Sequence, residues 1–271
     1  MLLPKNHPNN FCIAFIKREL DDFKSSNIWM SYWSTMERMI ERSSELNNVF
    51  EEIIEKYGYS DKQRCSYVWL ILEHIWMSTS FAKTKVEKAR NEFKMLNQLR
   101  EEIQVLAFNL SAALAKQNEL FEHSGFIKQD YQTALDMIED AGENNYLYQS
   151  HISEKILSLQ EQFDLKYWPS RSDIIQSIVE FEGRQPEPMH SEYPETVLKG
   201  RISDIKDFVI SFDSAFDEKN GLPTGFRFSN NSMADIINVI LDLPLEKLTT
   251  GEAIRIVRNR KLKQHASLSC K

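Results

Sequence analysis

The sequence predicts an all-α protein, and three observations support this fold class. Proline is absent between Pro8 and Pro169, so no residue in that stretch removes a backbone donor from a helix interior. Glycine, which commonly follows the last turn of a helix, occurs there only at Gly58, Gly125 and Gly142. Apolar residues recur every three or four positions in the segments between. We therefore expect an elongated helical bundle with one long helix and a smaller C-terminal helical unit.

Two amphipathic helices are predicted before Gly58. The first covers residues 11–23 and directs Phe11, Phe15 and Leu20 toward a core. The second covers about residues 27–57, where apolar residues form one stripe at spacings of three and four. Its first members are Trp29, Trp33, Met36 and Ile40.

The next predicted helix is the longest and runs over about residues 60–124. Residues 67–77 are hydrophobic nearly all round, which indicates the centre of a bundle. From Ala82 to Phe121 apolar residues alternate at four and three, the heptad spacing of a coiled-coil seam. This seam predicts self-association or binding of another protein; the alternative is an antiparallel hairpin with residues 27–57 of the same chain. The candidate interface residues are Val86, Phe93, Leu96, Ile103, Leu110 and Leu114.

The remaining chain suggests a second, smaller unit. Two short helices are predicted over 127–138 and 148–163, and Ser170 with Asp173 has the spacing of a capping box. Residues 183–195 contain three prolines among polar residues, which is typical of a linker. The predicted organisation is a bundle over 1–182, a linker over 183–195 and a helical unit over 196–271.

Composition favours a cytoplasmic protein. Hydrophobic residues make up 42% and charged residues 27%, as in ordinary globular proteins. Cys12, Cys65 and Cys270 are far apart and lack CxxC spacing, so we expect reduced thiols. The first residues show no secretory signal pattern. The most apolar stretch is shorter than the roughly 20 residues that cross a bilayer, so no membrane partner is predicted.

Charge is distributed unevenly. From Lys247 onward the chain has seven basic residues and one acidic residue, Glu252, which gives this segment a net charge of +6. Because the whole chain has a net charge of −7, residues 1–246 carry −13. An acidic body disfavours general coating of nucleic acid. A local nucleic-acid contact by the basic tail is the alternative, and its candidate residues are Arg255, Arg258, Lys261 and Lys263.

Motifs of catalysis and cofactor binding are absent from the sequence. It contains no Walker A loop, no GxGxxG, no GxSxG and no HExxH. The one Glu-x-x-His spacing, Glu187 with His190, falls in the proline-containing linker, so no metal or cofactor is predicted. His74 is expected to be a hydrogen-bonded core histidine. These absences favour a protein that is not an enzyme, and an enzyme remains the alternative.

One short segment bears a resemblance to a known family. Arg258-Asn259 followed by His265 resembles the arginine-polar-histidine signature of HEPN ribonucleases, and the resemblance covers eight residues. HEPN ribonucleases are all-helical dimers that place the arginine and histidine of both chains around an RNA phosphate. The resemblance implies that Arg258 would steady the phosphate and His265 would handle the 2′-hydroxyl proton.

Three function classes follow from the sequence. The leading prediction is a non-enzymatic cytosolic assembly or adaptor protein that acts through helix–helix contacts. The second is an RNA- or DNA-directed protein that binds nucleic acid, or cleaves RNA as HEPN ribonucleases do, through the basic tail. The third is a small-molecule sensor with an aromatic pocket in the bundle, for which the candidate residues are Trp29, Trp33, Trp69 and Trp76.

Overall fold

The all-α fold class is confirmed. The computed structural model describes residues 7–58, 62–124, 134–160, 167–218 and 221–268, with the backbone alone for 62–65, 160, 218 and 261–268. These ranges contain helices and no β-strand. None of the described helices has the length and apolar character needed to cross a membrane.

The helices are numbered in chain order. They are α1 (Pro8–Ser26), α2 (Met30–Glu41), α3 (Asn47–Tyr57), α4 (Lys62–Met77), α5 (Lys83–His123), α6 (Ala134–Gly142), α7 (Tyr146–His151), α8 (Ser153–Gln160), α9 (Arg171–Arg184), α10 (Glu195–Leu198), α11 (Asp204–Glu218), α12 (Asn230–Ile240) and α13 (Gly251–Leu268). Short 3₁₀ turns lie at Ser78–Phe81 and Leu245–Lys247.

The chain forms two compact units. Unit 1 combines residues 1–92 with residues 189–271, and unit 2 contains residues 93–188. This division differs from the sequence-based one, which separated 1–182 from 196–271. One boundary, between Pro188 and Met189, falls inside the predicted linker, and the other lies within α5. The difference arises because α11 and α12 supply core residues to the same unit as α1 to α4.

The core of unit 1 is rich in aromatic side chains. Phe208, Phe212 and Phe216 repeat every four residues along α11 and are fully buried. The ring of His74 on α4 lies 4.4 Å from that of Phe212, and its Nε2 is 3.3 Å from the Phe212 carbonyl oxygen. His74 is therefore the hydrogen-bonded core histidine that the sequence predicts. Since α4 carries the buried Trp76 as well, it occupies the central position expected for it.

The predicted helix over about 60–124 is interrupted, which corrects the sequence-based expectation. The 3₁₀ turn follows α4, and Ala82 has extended backbone angles (φ −60°, ψ 143°) before α5 begins. Ser78 donates its hydroxyl to the Ile75 carbonyl, and the carbonyl of Ser80 accepts a hydrogen bond of 2.6 Å from the Tyr193 hydroxyl. Serine side chains compete with helical hydrogen bonding, and a distant tyrosine stabilises the break.

The predicted helix over about 27–57 is also interrupted, between Glu41 and Asn47. Arg42 lies in this gap and makes two hydrogen bonds of 2.8 Å to the Glu45 carboxylate. The same guanidinium contacts Asp242 at 3.1 Å, after α12. The break therefore places α2 and α3 so that both pack against α12.

Unit 2 contains most of α5, together with α6 to α9. The helices α6, α7 and α8 pack on one another. At Gly142 a Cβ atom would lie 2.3 Å from the Tyr148 ring, so only glycine allows this close approach. At the start of α9, Ser170 and Asp173 form the capping box that their spacing predicts.

Candidate interaction surface

The part of α5 in unit 2 carries a row of exposed apolar side chains. Their exposed fractions run from 41% at Ile103 to 62% at Leu120. With 3.6 residues per turn, the spacings of three and four place them in one stripe along the helix. We call this row the α5 seam; its members are Leu96, Leu99, Ile103, Leu106, Leu110 and Leu120.

The structure brings the sequence-predicted interface residues into three different environments. Val86 is fully buried in unit 1, where the first turns of α5 pack. Phe93 and Leu114 are half-buried. Leu96, Ile103 and Leu110 are exposed and belong to the α5 seam.

The helix α9 runs antiparallel to α5 and contacts one flank of it. Arg100 donates from Nε to the Glu182 carbonyl at 2.7 Å and from Nη2 to the Gly183 carbonyl at 3.4 Å. About two turns of α5 separate Arg100 from Ala107, which is buried on the same flank. Ser111 donates to the Ser172 carbonyl at 2.9 Å, near the other end of α9.

Sequence reasoning missed half of the α5 seam. The predicted heptad series combines the column of residues 96, 103 and 110 with the column of residues 100, 107 and 114. The helix α9 packs on the side of α5 that carries the second of these columns. The omitted residues Leu99, Leu106 and Leu120 form a third column on the opposite side of the first. The signal was present in the sequence, because 99, 103, 106, 110, 113, 117 and 120 also alternate at four and three.

The described part of unit 2 buries few apolar side chains. They are Ala107, Leu135 and Tyr148, each of which keeps a few per cent of its surface exposed. No residue of α9 is fully buried. Against this, α5 exposes nine large apolar side chains between Met95 and Leu120. Such an imbalance is unusual for a unit that is complete by itself, because exposed apolar patches mark binding surfaces.

An apolar cavity of about 540 Å³ also lies in unit 2. Residues of α6, with Tyr148 and Ile174, line much of it. The Tyr148 hydroxyl donates to Glu139 at 2.7 Å; burial, with this carboxylate beside it, raises the pKa of Tyr148 to about 12. No tryptophan lines this cavity.

The tryptophans of the third function class contact other parts of the molecule. The Trp69 ring lies 5.2 Å from that of Phe11 and 4.3 Å from that of Phe15, and Trp76 is buried nearby. Trp29 is mostly exposed beside Tyr32. Trp33 donates its indole N–H to the Ile28 carbonyl at 2.9 Å.

In the basic tail, Arg258 is held by several groups of unit 1. Its Nε and Nη2 each lie 3.0 Å from a carboxylate oxygen of Asp213, a bidentate pair. Its Nη1 donates to the Phe228 carbonyl at 2.8 Å and to Asn230 Oδ1 at 3.0 Å. This geometry anchors α13 to α11 and to the segment before α12.

The other tail residues are placed differently. Arg255 is exposed and forms a bidentate pair with Glu252, both bonds measuring 2.7 Å. That contact lowers the pKa of the Glu252 carboxyl and raises that of Arg255. The side chains of Lys261, Lys263 and His265 lie outside the described residues. In the described part of the chain, His, Cys, Asp and Glu do not gather into a group of three that could hold a metal ion.

Comparison with known proteins identifies no relative. No protein-family model, no curated protein and no solved structure matches this chain.

Proposed function

We propose that this is a non-enzymatic assembly or adaptor protein that acts through helix–helix contacts made by the α5 seam. Its first partner is a second copy of the same chain, and a helix of another protein is the alternative occupant. We place this role in the cytosol because the cysteines lack the spacing of a disulfide framework. Cys12, a free and buried thiol, is consistent with that assignment.

The observation that supports this proposal is the contrast between the surface and the core of unit 2. The large apolar side chains that α5 exposes are more numerous than the buried apolar residues in the described part of the unit. Burial of apolar area contributes roughly 25 cal/mol per Å². Covering the α5 seam with a second helix would therefore stabilise both the unit and the assembly.

The test is a pair of double substitutions on the same helix. Ile103→Asp with Leu110→Asp places two charges in the α5 seam. The matched control, Val105→Asp with Phe108→Asp, places the same charges at exposed apolar positions on the outer side of α5. Helix content of both proteins is checked by circular dichroism.

We expect the wild-type protein to sediment as a dimer or larger species at micromolar concentration and the seam variant as a monomer. The control should keep the wild-type mass, because its charges stay in water. A wild-type chain that remains monomeric at high micromolar concentration contradicts the proposed self-association. Equal dissociation by both variants would show that α5 binds through a different face.

A further inference from the structure

The orientation of two α5 helices can be inferred from the charges beside the α5 seam. In heptad notation Leu96, Ile103 and Leu110 occupy position a, whereas Leu99, Leu106 and Leu120 occupy position d. The flanking e column, which contains Arg100 and Ala107, is contacted by α9. The flanking g column remains open; between residues 93 and 120 it consists of Met95, Glu102, Asn109 and Lys116.

The g column carries one negative and one positive charge, placed symmetrically about Asn109. Glu102 and Lys116 are both exposed, and neither forms an ion pair within the described residues. In an antiparallel pair the g columns of the two helices face each other. In a parallel pair each g residue faces an e residue, which for Glu102 and Lys116 would be Ala107 and Phe121.

We propose that two copies of this chain pair through the α5 seam in antiparallel orientation, with the two-fold axis between the helices at the level of residue 108. In this register Glu102 faces Lys116 of the partner subunit at both ends, and the two Asn109 side chains meet at the centre. This register rests on the proposed self-association.

The same register also matches the apolar layers, except that Leu99 meets Gln117 of the partner subunit. Leu106 meets Leu110 of the partner subunit next to the axis, and Ile103 meets the small Ala113 of the partner subunit. Leu96 meets Leu120 of the partner subunit at each end. Gln117, which accepts a hydrogen bond from Arg171 at 3.2 Å, is the only polar residue of the a and d columns between 96 and 120. The paired region covers about 36 Å of helix.

A shift by one heptad in either direction removes this complementarity. In one direction Glu102 would face Asn109 of the partner subunit. In the other direction Lys116 would face Asn109 of the partner subunit, and Glu102 would face His123 of the partner subunit at the end of α5. In both cases the overlap of the seam would shorten. The antiparallel register centred near residue 108 is therefore the arrangement that combines both opposite-charge contacts with the longest apolar overlap.

The first experiment is a charge-reversal cycle measured by sedimentation over a concentration series. Glu102→Lys alone and Lys116→Glu alone each place like charges opposite one another twice per dimer. Each should raise the dimer dissociation constant about tenfold. The double variant restores opposite charges and should return the constant close to the wild-type value. The controls are Glu101→Lys and Lys94→Glu, which make the same charge changes at position f, away from the α5 seam.

The second experiment measures distances between spin labels in the dimer. Cys65 and Cys270 are replaced by serine, Cys12 is retained because it is buried, and one cysteine is introduced at Asn109 or at Met95. In the antiparallel register the two labels at 109 are close, whereas those at 95 are about 40 Å apart. A parallel pair gives nearly equal distances at both sites.

The outcomes separate this register from the proposed function. The aspartate substitutions in the α5 seam test self-association itself. If they dissociate the dimer but the label distances at 95 and 109 are equal, the antiparallel register is wrong and self-association stands. The same conclusion follows if the double charge reversal does not restore the dissociation constant. A monomeric wild-type protein overturns both.

Discussion

At the scale of single residues, Arg258 shows how one side chain links elements that are distant in sequence. Its guanidinium bonds to Asp213 on α11 and to Phe228 and Asn230 near the start of α12. Arg227 adds an ion pair to Asp213 at 3.8 Å. Both members of the Arg258–Asp213 pair are largely buried, so removing Arg258 takes the bidentate partner from a buried carboxylate.

We predict that Arg258→Ala lowers the free energy of unfolding by about 3 kcal/mol, because the buried Asp213 would lose its bidentate partner and keep only the longer contact with Arg227. Urea denaturation followed by circular dichroism measures this change. Arg255→Ala is the matched control and should leave the free energy of unfolding close to the wild-type value, since its pair with Glu252 is exposed. An Arg258→Ala protein of unchanged stability that loses RNA binding or cleavage would instead favour the RNA-directed alternative.

Cys12 provides a second prediction at this scale. The side chain is fully buried, and burial raises the pKa of its thiol to about 12. Because the thiolate is the reactive form, we expect Cys12 to resist iodoacetamide at pH 8 in the native protein and to react once denaturant is added. Peptide mass spectrometry measures the modification. Rapid native labelling of Cys12 would mean that α1 opens readily.

At the scale of elements, α5 and α9 differ in what holds them in place. The first turns of α5 pack in the core of unit 1, whereas α9 has no fully buried residue. The position of α9 therefore depends on polar contacts with α5 and on its own capping box. Elements with few buried apolar contacts open most easily.

We predict that Ser170→Ala destabilises α9 by about 1 kcal/mol, because the Asp173 backbone N–H loses its acceptor. Amide hydrogen exchange in α9 should then accelerate about fivefold, with unit 1 unchanged. Ser177→Ala is the control: this serine lies in the middle of α9 and donates only to the Ile174 carbonyl. Equal acceleration by both substitutions would show that the cap does not limit the opening of α9.

At the scale of the whole molecule, unit 1 is built from two segments separated by unit 2 in sequence. The buried pair Arg90–Asp207, with side chains 8% and 3% exposed, joins α5 to α11 at 3.0 Å. Ser232 donates to Glu52 at 2.6 Å, which joins α12 to α3. The two segments therefore depend on each other for a common core.

Limited proteolysis tests this organisation. The first internal cuts should fall within residues 183–195, where the structure between α9 and α10 is irregular and Met189 is 93% exposed. We predict that the two fragments then elute together in native buffer and separate only in denaturant, because residues 189–271 pack with 1–92. Fragments that separate without denaturant would favour the division at 182 and 196. First cuts within 60–121 would locate the most accessible backbone on α4 or α5 instead.

Local features of the fold could be predicted from the sequence, because they depend on neighbouring residues. The helical class follows from the distribution of proline, glycine and apolar residues. The capping box at Ser170 follows from a spacing of three, and the buried position of His74 from the apolar residues around it. The heptad pattern of α5 belongs to the same category.

The tertiary structure alone decided where the helices break and which part of α5 is exposed. The breaks after Glu41 and Met77 are stabilised by Arg42 bonding to Asp242 and by Tyr193 bonding to Ser80, partners more than a hundred residues away. The heptad pattern marked two apolar columns, yet α9 occupies one flank and leaves Leu99 and Leu106 exposed on the other. Periodicity determines which side chains share a face, whereas burial depends on a neighbour whose position is set by the packing of the whole chain.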